Sequence, residues 1–216
     1  MKNTTLQFLK KLEKNNNRDW FNENKKLYIE AHGDVINFVE ILIEKISKFD
    51  EAIGKMDAKK SMFRIYRDTR FSKDKSPYKT NFGVNLGIGK GGKTAGYYLH
   101  IEPEKSFLAG GVYMPEPGNL KAIRKEISLF GDEFLKILNH KNFKKYFSKM
   151  DENDKLKKIP QGFESNDPMA EYLKLKHFTV SYPVSDEELL SETAAENFAE
   201  IFKSIKPLND FLETPF

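Results

Sequence analysis

Apolar residues recur at helical spacing along the first fifty positions. Leu6, Leu9 and Leu12 lie three residues apart and follow threonines that can cap a helix. The asparagine run 15–17 interrupts this pattern, and its last residue can cap the helix that follows. A second apolar stripe then predicts one long helix from about residue 19 to 48.

The middle of the chain is rich in the aromatic and branched residues that favour β-strands. The predicted strands cover 62–66, 82–88, 96–101 and 106–113. Their connections are short, which indicates antiparallel pairing. Alternating polarity predicts one more strand near 174–182.

Helical patterns return after these strands. The predicted helices begin at Pro117, cover 134–138 and 143–147, follow a cap at Asp167, and extend from 189 to 212. Pro207 is expected to start or kink the last piece. Helices on either side of a grouped, mainly antiparallel sheet define an α+β class, and 216 residues fit one domain, 1–216.

Composition excludes several classes of protein without identifying a reaction. With 18 Phe and 9 Tyr, the chain has enough large apolar side chains for a core, so a disordered chain is not expected. The absence of Cys excludes disulfides, a Cys nucleophile and Cys-ligated zinc or iron–sulfur clusters. No apolar run has the length of a signal peptide or a membrane span, so we expect a cytoplasmic protein.

One stretch matches two phosphate-binding patterns. Gly87–Thr94 reads GIGKGGKT, which fits G-x-x-x-x-G-K-[ST] and contains G-x-G-x-x-G. Both motifs require a loop that opens a helix, because the helix N-terminus supplies the amides that bind phosphate. The residues that follow, AGYYLHI, favour a strand. We therefore interpret the stretch as a glycine-rich hairpin turn and predict no nucleotide there.

The most informative stretch is residues 59–79, which we call the arginine segment. It carries eight basic and two acidic residues, a net charge of +6, whereas the whole chain carries only +4. Three of the five arginines in the chain lie within it, at Arg64, Arg67 and Arg70. A guanidinium grips a carboxylate or phosphate at two points, which an ammonium group cannot do. This choice of Arg in a Lys-rich chain therefore indicates a need for directional binding.

If a strand continues through the arginine segment, Arg64, Tyr66, Asp68 and Arg70 share one face. The opposite face resembles a core face and carries Phe63, Ile65, Arg67, Thr69 and Phe71. Arg67 would then be partly buried, and we expect it to form a structural ion pair or to bind backbone carbonyls.

The candidate ligand-binding residues lie on the first face and in the turn after it. They are Arg64, Tyr66, Asp68, Arg70, Lys73, Tyr78 and Lys79. Our first hypothesis is a site for a small anionic ligand that bears phosphate or carboxylate. The alternatives are an internal salt-bridge cluster with Asp68 and Asp74, or a patch that docks nucleic acid or an acidic protein. No nucleophile stands out by spacing, so the sequence does not decide whether the protein is an enzyme.

The motif FRIYRDTRFSKDKSPYKT, at 63–80, resembles the signature of a widespread bacterial family of domains of unknown function. The other blocks that resemble this family include Phe8-Leu9, Asn15-Asn16, Arg18, Trp20-Phe21, Tyr97–Ile101, Gly110–Pro115, Arg124 and Pro160–Phe163. The resemblance covers nearly the whole chain and implies a single α+β domain with no established activity. The family commonly has His before the proline that Pro168 matches, whereas this chain has Asp167.

The four histidines are scattered, and none has a partner at helical metal-binding spacing, so no metal site and no cofactor are predicted. His100 and Glu102 lie two residues apart and would share one face of a strand. They can form a general-base pair or a hydrogen bond that is only structural.

Overall fold

The computed structural model describes residues 1–87, 95–152 and 154–216. The helices are α1 (Asn3–Lys14), α2 (Arg18–Glu23), α3 (Lys25–Ser47), α4 (Ala58–Ser61), α5 (Pro117–Leu129), α6 (Gly131–Leu138), α7 (Lys141–Lys144), α8 (Ala170–Leu173), α9 (Asp186–Leu190) and α10 (Ala194–Glu213). The strands are β1 (Phe82–Gly87), β2 (Gly96–Ile101), β3 (Ser106–Val112) and β4 (Phe178–Val184). They form one antiparallel sheet in the order β1-β2-β3-β4, which confirms the α+β class.

The N-terminal helices follow the apolar pattern, with one correction. The three leucines of α1 are buried, and the side chain of Asn17 caps α2 by accepting a hydrogen bond from the Trp20 amide at 2.9 Å. The single long helix predicted from 19 to 48 is wrong, because the chain breaks at Asn24 between α2 and α3. The backbone amide and the side chain of Asn24 both donate to the carbonyl of Trp20, an acceptor at the end of α2.

Successive side chains of strand β2 lie on opposite faces of the sheet, as in any β-strand. Tyr97, Leu99 and Ile101 are buried on one face. Tyr98 and His100 are only partly buried on the other.

The strand predicted at 62–66 is wrong as a continuous element. Met62 bridges to Val84 of β1 and Tyr66 bridges to Tyr78, but these are isolated antiparallel bridges that do not make a strand of 62–66. Between these two bridges the second arm has two residues more than the first, and this difference in register interrupts the ladder.

Two C-terminal elements also differ from the sequence pattern. The last strand begins at Phe178 rather than near 174, because Leu173 ends the short helix α8. The helical stretch predicted from 189 to 212 is divided into α9 and α10, and Pro207 lies inside α10.

The Cα positions group into two compact units. One comprises Met1–Leu86, Tyr98–Leu108 and Pro183–Ala199, and the other comprises Gly87–Tyr97, Ala109–Tyr182 and Glu200–Phe216. The arginine segment lies wholly in the first unit. A single domain over 1–216 stays a prediction. Among the helices of the described ranges, none is both long and apolar enough to cross a membrane.

Candidate functional site

The arginine segment folds back on itself as an irregular hairpin. The amide of Lys79 donates to the carbonyl of Ile65 at 2.8 Å, and the amide of Arg67 donates to the carbonyl of Pro77 at 3.0 Å. Residues 68–76 form the loop that joins these two arms. Exposure alternates from Arg64 to Arg70 as a strand predicts, but Phe63 and Phe71 are 48% and 96% exposed instead of buried.

Asn16 fixes the second arm of the hairpin to the N-terminal helices. Its Nδ2 donates to the carbonyl oxygen of Tyr78 at 2.9 Å, and its Oδ1 accepts from the Tyr78 amide at 3.1 Å. The buried Tyr78 ring stacks on Phe21, with 4.0 Å between ring centroids. Sequence reasoning missed this contact, although Asn16 belongs to one of the blocks that carry the resemblance.

Arg67 is held inside the hairpin loop. Its Nη1 forms an ion pair with Asp74, and its guanidinium reaches the Ser76 carbonyl and the Ser72 hydroxyl at 3.4 Å each. The hydroxyl and amide of Ser76 also donate to Asp74, at 2.6 and 2.9 Å. These bonds from Ser76, together with Arg67, lower the pKa of Asp74 to about 2. The loop therefore has an internal ion pair at the arginine for which a structural role is predicted.

Arg70 and Asp68 bind one another in a two-point contact. The Nε of Arg70 lies 3.0 Å from Oδ1 of Asp68, and its Nη2 lies 2.7 Å from Oδ2. The hydrogen bonds from Arg70 lower the pKa of Asp68, and the bond to Asp68 raises the pKa of Arg70. An anion could use the fork of Arg70 only by displacing Asp68.

Arg64 and Lys79 differ from Arg67 and Arg70, because neither forms an ion pair with an acid in the part of the chain that the structure describes. Arg64 is exposed, whereas Lys79 is partly buried, with its Nζ 5.3 Å from the centroid of the Phe63 ring. Burial lowers the pKa of Lys79, and the positive charge of Arg64 lowers it further. Lys73, by contrast, is an exposed side chain of the loop.

The phenol rings of Tyr66 and Tyr78 lie together on the hairpin. The Tyr66 ring is 54% exposed and lies 5.4 Å from the Tyr78 ring. Burial raises the pKa of both Tyr28 and Tyr78, and Tyr66 raises both further. The charge of Arg18 acts on Tyr78 in the opposite direction. Tyr28 and Arg18 thus join this neighbourhood, although neither is among the sequence candidates.

A second cluster lies on the partly buried face of β2. Nε2 of His100 lies 3.0 Å from Oε2 of Glu102, and Nδ1 of His100 lies 3.0 Å from the Tyr98 hydroxyl. The imidazole stacks on Phe107 with 4.7 Å between centroids. The Nδ2 of Asn81 lies 3.5 Å from the same Nδ1. The pair that strand periodicity suggests is thus in contact, and the phenol is the member that sequence reasoning missed.

Other features of the sequence have no place in these two clusters. A cavity of about 460 Å³ is lined by Ile36, Glu40, Ile43, Met56, Asp57, Ala58 and Lys59, none of them a candidate ligand residue. Both carboxylate oxygens of Asp167 already accept hydrogen bonds, from the Ser128 hydroxyl at 2.5 Å and from the Met169 amide at 2.7 Å. Most of the phosphate-loop match, 88–94, lies outside the described residues. The described residues contain no group of three or more His, Asp or Glu that could hold a metal ion.

Comparison with known proteins identifies the family. The chain belongs to the DUF2461 family of conserved hypothetical proteins, whose model matches residues 4–211. No curated protein and no solved structure matches the chain.

Proposed function

We propose that this member of the DUF2461 family binds a small anionic ligand, bearing phosphate or carboxylate, at Arg64 and Lys79. The observation that carries the proposal is that Arg64 and Lys79 form no ion pair among the described residues while the charge of Arg64, which also acts on Asp68, lowers the pKa of Lys79. Like charges brought together and partly desolvated cost free energy unless an anion lies between them. A bound phosphate or carboxylate would relieve this repulsion and would occupy the guanidinium fork of Arg64.

The rest of the arginine segment supports this assignment. Arg67 and Arg70 are occupied by Asp74 and Asp68, so the hairpin loop can keep its shape without a ligand. The hydroxyl of Tyr66 is available to orient a bound anion, and Asn16 holds the arm that carries Lys79. Preorganisation of this kind lowers the entropic cost of binding. We also propose the cytoplasm as its location, in keeping with the absence of Cys.

The test is a thermal-shift and calorimetric titration with sodium phosphate, pyrophosphate and citrate at constant ionic strength. At one hundred times its dissociation constant, a ligand stabilises the fold by about 2.7 kcal/mol. Each kcal/mol raises the melting temperature of a chain of this size by about 2–4 °C. We expect Arg64→Lys to abolish the shift, because lysine keeps the charge but not the two-point grip.

A matched pair of lysine variants distinguishes a defined anion site from non-specific attraction of the anion to positive charge. Lys79→Met and Lys26→Met each remove one positive charge, but Lys26 is an exposed residue of α3. Only Lys79→Met should weaken binding of the anion. Equal loss in both variants, or full binding by Arg64→Lys, would contradict a geometrically defined site.

A docking patch for nucleic acid is the second candidate, and the exposure of Phe71 favours it. This ring is 96% exposed beside Arg70, and exposed aromatic rings among cations can stack on bases. Fluorescence anisotropy with a single-stranded oligonucleotide tests this reading. Tight binding that falls steeply with salt and weakens in Phe71→Ser, together with no response to phosphate, would favour the patch over the ligand site.

A further inference from the structure

The partners of His100 determine its tautomer. Carboxylate oxygens only accept hydrogen bonds, so the contact between Glu102 and Nε2 places the proton on Nε2. Nδ1 then carries a lone pair and accepts from the hydroxyl of Tyr98. An acid, an imidazole and a hydroxyl connected in this order have the arrangement that activates a nucleophile in acyl transfer.

A glycine makes room for the phenol. A Cβ built on Gly83 of β1 would lie 2.7 Å from the Tyr98 hydroxyl oxygen and 2.9 Å from the Phe63 ring. Any side chain at this position would therefore push the hydroxyl away from its place above β1. The close approach of Tyr98 to the backbone is thus a separate feature that fixes the hydroxyl beside His100.

We propose that Tyr98 is a nucleophile, that His100 accepts its proton, and that Glu102 orients the imidazole and stabilises its charged form. The Tyr98 oxygen forms a bond to the electrophilic atom of an ester while its proton passes to Nδ1 of His100. The bond to the leaving oxygen then breaks, and this oxygen takes the proton from His100. Water, activated by the same imidazole, attacks the covalent intermediate and restores the phenol.

The class of substrate follows from the neighbouring cations and rests on the proposed function. The Phe63 ring contacts Lys79 on one side, 5.3 Å from its Nζ, and its centroid lies 6.2 Å from that of Tyr98. An anionic group bound at Arg64 and Lys79 would thus lie about one ring away from the phenol. The substrate is accordingly an ester that carries a phosphate or carboxylate group.

The experiment measures acetylation of each tyrosine by N-acetylimidazole, followed by peptide mass spectrometry. This reagent transfers an acetyl group to the phenol oxygen and releases imidazole, which is the first half of the proposed sequence. Tyr66 serves as the internal reference, because it is 54% exposed whereas Tyr98 is only partly exposed. We expect Tyr98 to react at least about tenfold faster than Tyr66 near pH 7.5, as assistance by a general base allows.

The pH profile distinguishes a relay from a structural hydrogen bond. With the relay, Tyr98 reacts near neutral pH because the imidazole takes its proton, whereas a phenol without a base becomes reactive only towards pH 10. Among the residues that the structure describes, the carboxylate of Glu102 contacts this relay, and Nζ of Lys105 lies 3.8 Å from Oε1 of Glu102. A Tyr98 rate below that of Tyr66, or one that rises only towards pH 10, would overturn the proposal.

Variants test each member of the relay. His100→Gln should remove the rate advantage of Tyr98, and Glu102→Gln should reduce it several-fold. Gly83→Ala should have the same effect as His100→Gln by displacing the hydroxyl, with Gly118→Ala as the control because nothing lies within 4 Å of its added Cβ. If a variant fails to fold, the comparison of the Tyr98 and Tyr66 rates in the unaltered chain still tests the relay.

The acetylation experiment contains no phosphate, so it is independent of the anion site. A chain that binds phosphate while Tyr98 reacts slowly would refute the relay alone. A chain with a fast Tyr98 that binds no phosphate, pyrophosphate or citrate would refute the anion site and leave the relay.

Discussion

The three arginines of the arginine segment differ in what they bind, although they lie within seven residues. Arg67 pairs with Asp74 and Arg70 pairs with Asp68, both from the same loop. Arg64 forms no ion pair among the described residues, although its charge also lowers the pKa of Asp68. The salt-bridge cluster and the anion site, which are alternatives at the level of sequence, can therefore coexist on different arginines.

Arg67→Ala should lower the free energy of unfolding by about 1 kcal/mol, because its partner Asp74 is 59% exposed and water can solvate the carboxylate that remains. A penalty of about 3 kcal/mol, which the sequence suggests if the acid is buried, is not expected. Urea titrations of Arg67→Ala and of Arg64→Ala measure the two free energies of unfolding. A cost for Arg64→Ala larger than for Arg67→Ala would mean that Arg64 has a structural role.

Asp74 should contribute to stability against acid. Its pKa in the fold is about 2, below the ordinary value of 3.8. A depressed carboxylate pKa stabilises the fold fully above the ordinary value, and this contribution is lost as the pH falls through the folded pKa. Unfolding titrations from pH 5 to 2 should therefore be less steep for Asp74→Asn than for the unaltered chain. An identical profile in both would show that Asp74 is not paired in solution.

At the scale of elements, Asn16 joins α1 and α2 to the hairpin. Asn16→Ala removes both bonds to the Tyr78 backbone and leaves two part-buried polar groups unsatisfied, so we expect a loss of about 2 kcal/mol. Asn15→Ala is the matched control, because its side chain only donates to an exposed carbonyl of α1 and should cost about 0.5 kcal/mol. Urea denaturation of both variants checks the difference, and equal losses would contradict it.

Strand β3 depends on a glycine at position 111. Gly111 has a φ of +110°, and an added Cβ would lie 2.0 Å from the carbonyl oxygen of Phe178. Gly111→Ala combines backbone strain with a clash against a backbone atom, so we expect destabilisation of about 3 kcal/mol or more.

Gly118→Ala provides the reference for Gly111→Ala. Nothing lies within 4 Å of its Cβ, and alanine favours a helix by up to about 1 kcal/mol over glycine, so this variant should be neutral or stabilised. Thermal unfolding of the two variants measures both effects. Comparable stability of the two would mean that β3 shifts to accept the side chain.

At the scale of the whole molecule, the positive charge is concentrated in one stretch. The arginine segment carries +6, and the remainder of the chain carries −2. Removing two charges inside the segment with Lys59→Gln and Lys60→Gln should lower the salt needed for elution from a cation exchanger. The same change at the exposed residues Lys157 and Lys158 should lower it less. Equal effects would mean that net charge, not its location, governs adsorption.

The sequence alone determined the elements whose signals are local. The aromatic and branched residues of 96–101 placed β2 at its observed bounds, the leucine spacing identified α1, and Asn17 was recognised as a cap because capping depends on residues a few positions apart. The charge of the arginine segment and the resemblance over nearly the whole chain are likewise readable without coordinates.

Tertiary structure alone decided which side chains meet. The isolated bridges in place of a strand at 62–66 follow from two extra residues on the opposing arm, and periodicity contains no information about register. Three further features likewise depend on how separate segments pack together. They are the exposure of Phe71, the contact of Asn16 with Tyr78, and the position of the Tyr98 phenol beside His100. Whether an arginine is paired or free depends on distances of a few ångströms between side chains, because charge attraction and hydrogen bonding fall off over that range.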